Sequence, residues 1–503
     1  MTAYAQESRA RPRKIARSLG PESPDAARRT EGDGAGRAAR PRKETGRSLA
    51  YGSLFALLIY ICGAGLTSLA QLLIARLVGT SSYGIYAYTM AWATVLAYLS
   101  TLGFNVSLLR FVPAYNAVGR MDLARGVIRF ALRRAMIAAT LCAGIGAALI
   151  VTVSDHLGAE LRTSLLLGMA AVPLITAYSL GATLVRAFGG VISALLPERI
   201  VRDGLLLIIL AGAGLAGSWA LDAPVVMMAA VTSSAVTAGL AFTTAIRLCP
   251  ASLRGVTASY APGEWWAAAP PIMLITGLDV FINRTGVMLL GWTGDVRNAG
   301  IFAVGLNVAM LVALSRVAIS IMFAPSVADL HARNDMEGLR RQFARATLLC
   351  FGGAVTLAVP LLLAIEPFLR WFGEDFVAAA PITRILILGY VFAAAWGPQQ
   401  NLLTMTGREW AAATTMIAGA VTNVLGGLIG VMLYGPIGAA IGITFALVVW
   451  HSSMAVYIFR RLNMLPGLAL AALALKRQIL DRRGAASPTP RVATDPAGSG
   501  RAR

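Results

Sequence analysis

Along this chain, apolar residues gather into runs long enough to cross a bilayer, separated by short stretches where arginine, glycine and proline collect. Twelve such runs can be drawn, at 49–74, 83–109, 135–153, 163–185, 204–220, 223–246, 271–290, 299–323, 346–365, 377–397, 411–433 and 437–459. At 1.5 Å per residue, about 20 residues span the hydrocarbon core as a helix, which satisfies its own backbone hydrogen bonds there. The pattern predicts an all-α polytopic membrane protein with about 12 transmembrane helices. A further apolar stretch, 465–475, is too short to span and is expected to form an interfacial helix.

The runs fall into two similar halves. YGIYAYTMAWATVL, from Tyr83, is mirrored by AGIFAVGLNVAMLV, from Ala299, with Gly300 lying 216 residues after Gly84. FVPAYNAVGRMDLARGVIRFALR, from Phe111, is mirrored by FAPSVADLHARNDMEGLRRQFARA, from Phe323, with Pro325 lying 212 residues after Pro113. Two landmarks at nearly one offset predict two six-helix lobes around a central cavity, as in many transporters built from internal repeats. The expected organisation is a disordered basic tail over 1–48, an N-lobe over 49–246, a linker over 247–270, a C-lobe over 271–460 and a second tail over 461–503.

Composition agrees, since 57% of the residues are hydrophobic and only 14% charged, which excludes a soluble domain. The net charge of +20 does not indicate nucleic acid, because the cations lie in the tails and in alternate short loops. With the N-terminus in the cytoplasm, the inner loops hold 16 Lys/Arg and the outer loops four, so both termini are expected inside the cell. Arg125, Arg129 and Arg133 repeat at helical spacing after the second run, as do Arg341 and Arg345 after the eighth, giving cationic stripes where helices leave the membrane. Trp265 and Trp266 are expected as interfacial anchors, and Cys62, Cys142, Cys249 and Cys350 as small core residues rather than metal ligands.

Candidate chemistry is sparse. There is no GxxxxGK[ST] loop, and Lys14, Lys43 and Lys476 all lie in the tails, so ATP hydrolysis is not expected. His156, His331 and His451 form no HExxH, no metal or cofactor is implied, and no outer loop is long enough for a catalytic domain. What stands out is the run PIMLITGLDVFINRTGVMLL, which carries Asp279, Asn283 and Arg284. Ionisable groups at such depth are costly and serve as functional candidates. If Gly79 and Gly291 are equivalent, Asp279 and Asn283 correspond to Thr67 and Gln71. Both pairs are spaced i, i+4, so each half would turn one polar face inward. Arg316 and Arg384 complete the set of cations assigned to the spans.

ARLVGTSSYGIYAY, LGFNVSLLRFVPAYNAVGRMD, FAPSVADLHARND, NLLTMTGREW and YGPIGAAIG together resemble the polysaccharide-transport (Wzx-like) flippases of the multidrug/oligosaccharidyl-lipid/polysaccharide (MOP) exporter superfamily, over about residues 49–461. The resemblance implies a cavity open alternately to either side and a polyprenyl-pyrophosphate-linked oligosaccharide as cargo, moved across the inner membrane for surface polysaccharide or O-antigen synthesis. It also implies a polysaccharide polymerase and glycosyltransferases as pathway partners, beside membrane lipids. Multidrug (MATE-type) exporters are the alternative, and a membrane-bound polymerase or glycosyltransferase a more distant one. Prokaryotic MATE-type relatives commonly carry a carboxylate in the first helix, which is lacking here, and lipid II flippases resemble a fourteen-helix plan with charges in that helix. For a pyrophosphate cargo, Arg284, Arg316 and Arg384 are the expected anion ligands, with Asn283, Thr67 and Gln71 beside them and Asp279 as the ion-coupling group, because the arginine fork binds phosphate and stays charged when desolvated.

Overall fold

The structure, a computed structural model, describes residues 44–153, 155, 157–216, 221–465 and 467–472. Its body is Ser53–Arg503, and among the described residues nine helices are long and apolar enough to cross a membrane. The helices are α1 (Glu44–Ser100), α2 (Phe104–Ala117), α3 (Met121–Thr152), α4 (Ala159–Ala187), α5 (Val191–Leu196), α6 (Arg202–Ala216), α7 (Ala223–Leu248), α8 (Pro262–Trp292), α9 (Val296–Ala332), α10 (Met336–Leu363), α11 (Ile365–Arg370), α12 (Ala380–Ala395), α13 (Gln399–Met405) and α14 (Glu409–Leu462).

Two of these are hairpins. In α1 the backbone leaves the helical region at Gly79, with φ 75°. Tyr83 hydrogen-bonds Gln71, 12 residues back, which a straight helix would hold about 18 Å away along its axis. In α14 the break is at Gly435, with φ 56°, followed by Pro436 at the start of the second limb. Gly430 packs on Gly438, and Gly426 and Gly427 on Gly442, so the facing positions lie at matching distances before and after the break and the chain reverses there. The GxxxG spacing on both limbs lets their backbones meet. With both hairpins opened into two crossings each, and α6 as the short fifth, the twelve expected crossings and the MATE-like two-lobe plan are present.

Packing divides these crossings into two bundles. In the first, α4 packs chiefly against α7 and α3; in the second, α14 packs against α8 and α12, and α9 against α10 and α12. Short polar caps close the turns: Asp222 accepts from the Val225 N–H, Asp295 from Asn298 and Asp335 from Gly338.

Several helices extend beyond the apolar runs on the arginine-rich side. α3 begins at Met121, α8 at Pro262 and α10 at Met336, because an amphipathic turn packed on protein needs no apolar face all round. α8 also runs through Pro270 and Pro271, where the apolar pattern had suggested a start. The linker is strapped to the first bundle: Ser259 N–H donates to Asp122 O, and Arg125 donates to Val256 O. Arg125 of the expected cationic stripe is thus spent within the protein. Trp265, expected at the interface, is fully buried and donates through its indole to Tyr115, whereas Trp266 is part-exposed. Of the four cysteines only Cys350 is buried, and Cys62 is exposed.

At the termini, α1 starts at Glu44, inside the stretch expected as tail, while residues 1–43 and 473–503 lie outside the described residues. Within the expected interfacial helix, 467–472 is helical, with Ala471 fully buried and Gly467 against Trp396 and Ala395, so the described part docks on protein.

The bundles meet most closely just beyond the Gly79 turn. A Cβ on Gly84 would stand 1.7 Å from Val296 O, and one on Gly300 would stand 2.4 Å from Thr80 O and 2.9 Å from Gly84 N. The two glycines matched by the repeat are therefore one another's contact. Gly84→Val and Gly300→Val are expected to destabilise the detergent-solubilised protein by more than the 1–3 kcal/mol, roughly, that overpacking costs, because backbone cannot yield as a side chain does. Gly65→Ala, whose Cβ meets nothing within 4 Å, serves as the neutral control in the same thermal-shift and size-exclusion measurement. Reporter fusions after residues 159 and 221 should read as outside the cell and those after 119 and 335 as inside; a reversed pattern refutes the orientation drawn from the loop charges.

Candidate functional site

Below the Gly84–Gly300 contact, a cavity of about 380 Å³ opens between the bundles. Its walls come from both limbs of α1, from α4, α6 and α7, and from α8 and α9. Thr67 and Gln71 line it from one side and Asp279 and Asn283 from the other, so both i, i+4 pairs do face one space. Tyr83 ties the bundles together at this level: its hydroxyl donates to Gln71 Oε1 at 2.9 Å and accepts from Asn307 Nδ2 at 3.2 Å. Asn283 is fixed as well, because Tyr390 donates to its Oδ1 at 2.9 Å and its Nδ2 donates to Asp279 O at 2.7 Å. Tyr390 lies 212 residues after Tyr178, which receives a hydrogen bond from Arg202, so the repeat places a tyrosine on each side of the site.

Three arginines line this cavity: Arg199, Arg202 and Arg284. Arg284 sits among Tyr83, Tyr86 and Tyr390, and among the described residues it makes no hydrogen bond or ion pair. Arg199 lies over the Tyr60 ring, 4.7 Å from its centroid, and its buried Nε has no protein partner. Such an aromatic contact offsets part of the cost of taking the cation out of water while leaving its N–H edge available. Arg202 is engaged: Nε donates to Asp203 Oδ1 at 2.8 Å and Nη1 to the Tyr178 hydroxyl at 3.1 Å. The other Asp203 oxygen accepts a short hydrogen bond from Thr67. With Asp203 paired to Arg202, the cavity holds two further arginines, Arg199 and Arg284, that make no ion pair among the described residues, and one further carboxylate, Asp279.

Of the seven residues singled out from the sequence, Thr67, Gln71, Asp279, Asn283 and Arg284 line the cavity and two do not. Arg384 lies in the first turns of α12, half-exposed, and pairs with Glu366 of α11 at 3.0 Å. The apolar run counts it as membrane-embedded because hydropathy averages over a window, whereas one outward-facing arginine near a helix end reaches the polar boundary. Arg316 is half-buried on α9 and does not line the cavity, although it lies close enough to Asp279, which does, for their charges to interact.

Conversely, Arg199, Arg202 and Asp203 fall between the apolar runs at 163–185 and 204–220 and so read as loop residues from hydropathy alone. All three lie on one continuous helical path, where α5 runs through a π-helical turn at Pro197–Val201 into α6. Such turns often mark functional sites. The signal was available in PERIVRD: a proline opening a helix, followed by charges at i, i+3 and i+4 that share one face and lead into an apolar run.

The family of polysaccharide biosynthesis proteins matches this chain over residues 49–196, the first four crossings and the short helix α5. No curated protein matches it in sequence. Among solved structures, an inward-facing multidrug resistance MATE family transporter of the MOP superfamily is similar, with a TM-score of 0.62 at 13% identity over 84% of this chain and 96% of its own. The lipid II flippase MurJ, in an inward closed conformation, has a TM-score of 0.56 at 14% identity over 87% of this chain and 94% of its own. The MATE transporter VcmN of Vibrio cholerae has 0.56 at 14% over 82% and 95%. Residues 49–196, which include the first two of the motifs, thus match the polysaccharide biosynthesis family, and the chain as a whole shares the fold of the solved MATE and MurJ membrane transporters.

Proposed function

We propose that this protein flips a polyprenyl-pyrophosphate-linked oligosaccharide across the inner membrane, with both termini in the cytoplasm, in the pathway that builds a surface polysaccharide. The observation that carries this reading is the pair Arg199 and Arg284, which line one cavity between the bundles and make no ion pair among the described residues. A pore through which organic cations pass needs carboxylates and open aromatic faces, whereas an anionic head group needs fixed guanidinium forks. Here one cavity carboxylate is already taken by Arg202. The amide and hydroxyl groups of Gln71, Asn283, Asn307 and the tyrosines suit sugar hydroxyls, which donate and accept hydrogen bonds. The close Gly84–Gly300 contact supports alternating access, since the bundles touch there, toward the arginine-poor loops, and leave the cavity below. Glycosyltransferases would supply the cargo on one face and a polymerase consume it on the other. The drug-export reading draws on the fold neighbours, and Asp279 is the group it would use for a cation.

Complementation of a polysaccharide-export null strain tests this, with protein level checked in the membrane fraction. Arg199→Ala and Arg284→Ala should abolish surface polysaccharide, and Arg284→Lys should retain part of the activity because it keeps charge but loses the fork. Arg384→Ala should export normally, since its partner is Glu366 at the periphery. Normal export by both cavity variants overturns the reading. Asp279→Asn tests coupling: loss of export with normal membrane level supports Asp279 as the ion-coupling carboxylate, and unchanged export refutes it.

A further inference from the structure

The least expected group in the cavity is Asp203, a carboxylate only 3% exposed beside a cation that the proposed cargo would need. It completes a chain of contacts across three helices. Tyr178 of α4 accepts from Arg202, Arg202 donates to Asp203 on α6, and Asp203 accepts from Thr67 on the first limb of α1. Thr67 has a second acceptor within reach, Gly63 O at 3.0 Å, one turn back in its own helix. A hydroxyl carries a single proton, so Thr67 can serve Asp203 or Gly63 at one moment but not both. The threonine thus stands between a bond that ties α1 to α6 and a bond that leaves α1 by itself.

Resting on the anionic-cargo reading above, we infer that Asp203 is a positioning residue: an internal stand-in for the cargo's phosphate that holds Arg202 and Thr67 together until an anion takes the guanidinium. A pyrophosphate has an advantage in that exchange. It carries more negative charge than one carboxylate, and it meets Arg199, with its unpartnered Nε, as well as Arg202. Once Arg202 turns to the phosphate, Asp203 loses its counter-ion and is repelled by the arriving anion. Thr67 then falls back to Gly63 O. The first limb of α1 is released from α6, so binding at Arg202 is converted into freedom of the helix that also presents Gln71 to Tyr83. The other charged groups lining the cavity are Arg199 and Arg202 on the same helical path as Asp203 and Arg284 and Asp279 on α8.

The purified protein in nanodiscs would be titrated with polyprenyl pyrophosphate and, in a second arm, with inorganic pyrophosphate, and each variant would also be assayed for export by complementation. Asp203→Asn keeps the shape and one of the two acceptor oxygens but removes the competing charge. It should bind both probes about five- to tenfold more tightly, about 1 to 1.4 kcal/mol, while its export falls. Arg202→Ala should bind about tenfold more weakly. Thr67→Val should lose export by a larger factor than it changes affinity, because it breaks the link to α1. A residue that merely supports the fold would weaken binding when changed, so the opposite sign for Asp203→Asn is the diagnostic. Weaker or unchanged binding by Asp203→Asn, in a protein whose Arg202→Ala variant does lose affinity, overturns this inference and leaves the flippase reading standing. A shift seen with the lipid but not with the free ion overturns it too, because the effect then lies in the tail. Normal export by Thr67→Val removes the link to α1. If Arg202→Ala binds both probes as wild type does, this inference alone falls; if wild type binds neither probe, the anionic-cargo reading falls and takes this inference with it.

Discussion

The two bundles are held together where Gly84 meets Gly300, at a separation that no side chain permits. Helix association in lipid has little hydrophobic drive and relies on close packing, and close packing of backbones needs residues without bulk. The rest of the site hangs from this contact. Tyr83 directly precedes Gly84, and Asn307 lies about two turns after Gly300, so the crossing brings the Tyr83 hydroxyl between Gln71 and Asn307. The cavity begins below them. The same crossing gives the repeat its physical meaning: equivalent residues of two similar bundles touch where their local symmetry axis passes.

Burying charge beneath that contact is expensive, and the lining shows how the cost is met. Arg199 is stacked on Tyr60, Arg202 is held by Asp203 and Tyr178, and Arg284 lies near Tyr83, Tyr86 and Tyr390. Tyrosine suits this role because its ring packs against apolar helix while its hydroxyl serves either as donor or as acceptor. An arginine with a single purpose at the periphery looks different. Arg384 has Glu366 and an exposed position, and nothing about it demands a cargo.

The inter-lobe linker adds a mechanical constraint. Ser259 and Val256 are bonded to Asp122 and Arg125 of α3, Trp265 to Tyr115 of α2, and a Cβ on Gly103 would strike the α8 backbone at Ala269 and Met273. The beginning of α8 is therefore fastened to the first bundle, while its later part packs with α14 in the second. Asp279, Asn283 and Arg284 lie on the stretch between these attachments. Any rocking of the bundles must be taken up by α8, whose Pro270 and Pro271 interrupt the backbone hydrogen bonds that would otherwise stiffen it.

By itself the sequence determined the medium, the number of crossings and the two-fold repeat, because each is written in features that do not depend on distant contacts: run length, the charge of short loops and self-similarity at one offset. It also placed Thr67, Gln71, Asp279 and Asn283 on one face of their helices, since i, i+4 spacing is local geometry. Which arginines meet the cavity was decided only by tertiary structure. Hydropathy put Arg384 inside and Arg199 and Arg202 outside, but a window average cannot register that one arginine points outward to Glu366 while a π-helical turn carries two others inward. The engagement of Arg202 by Asp203 and Thr67 was likewise beyond the sequence. That contact joins residues 136 positions apart, and only the packing of α6 against α1 brings them within reach of a hydrogen bond.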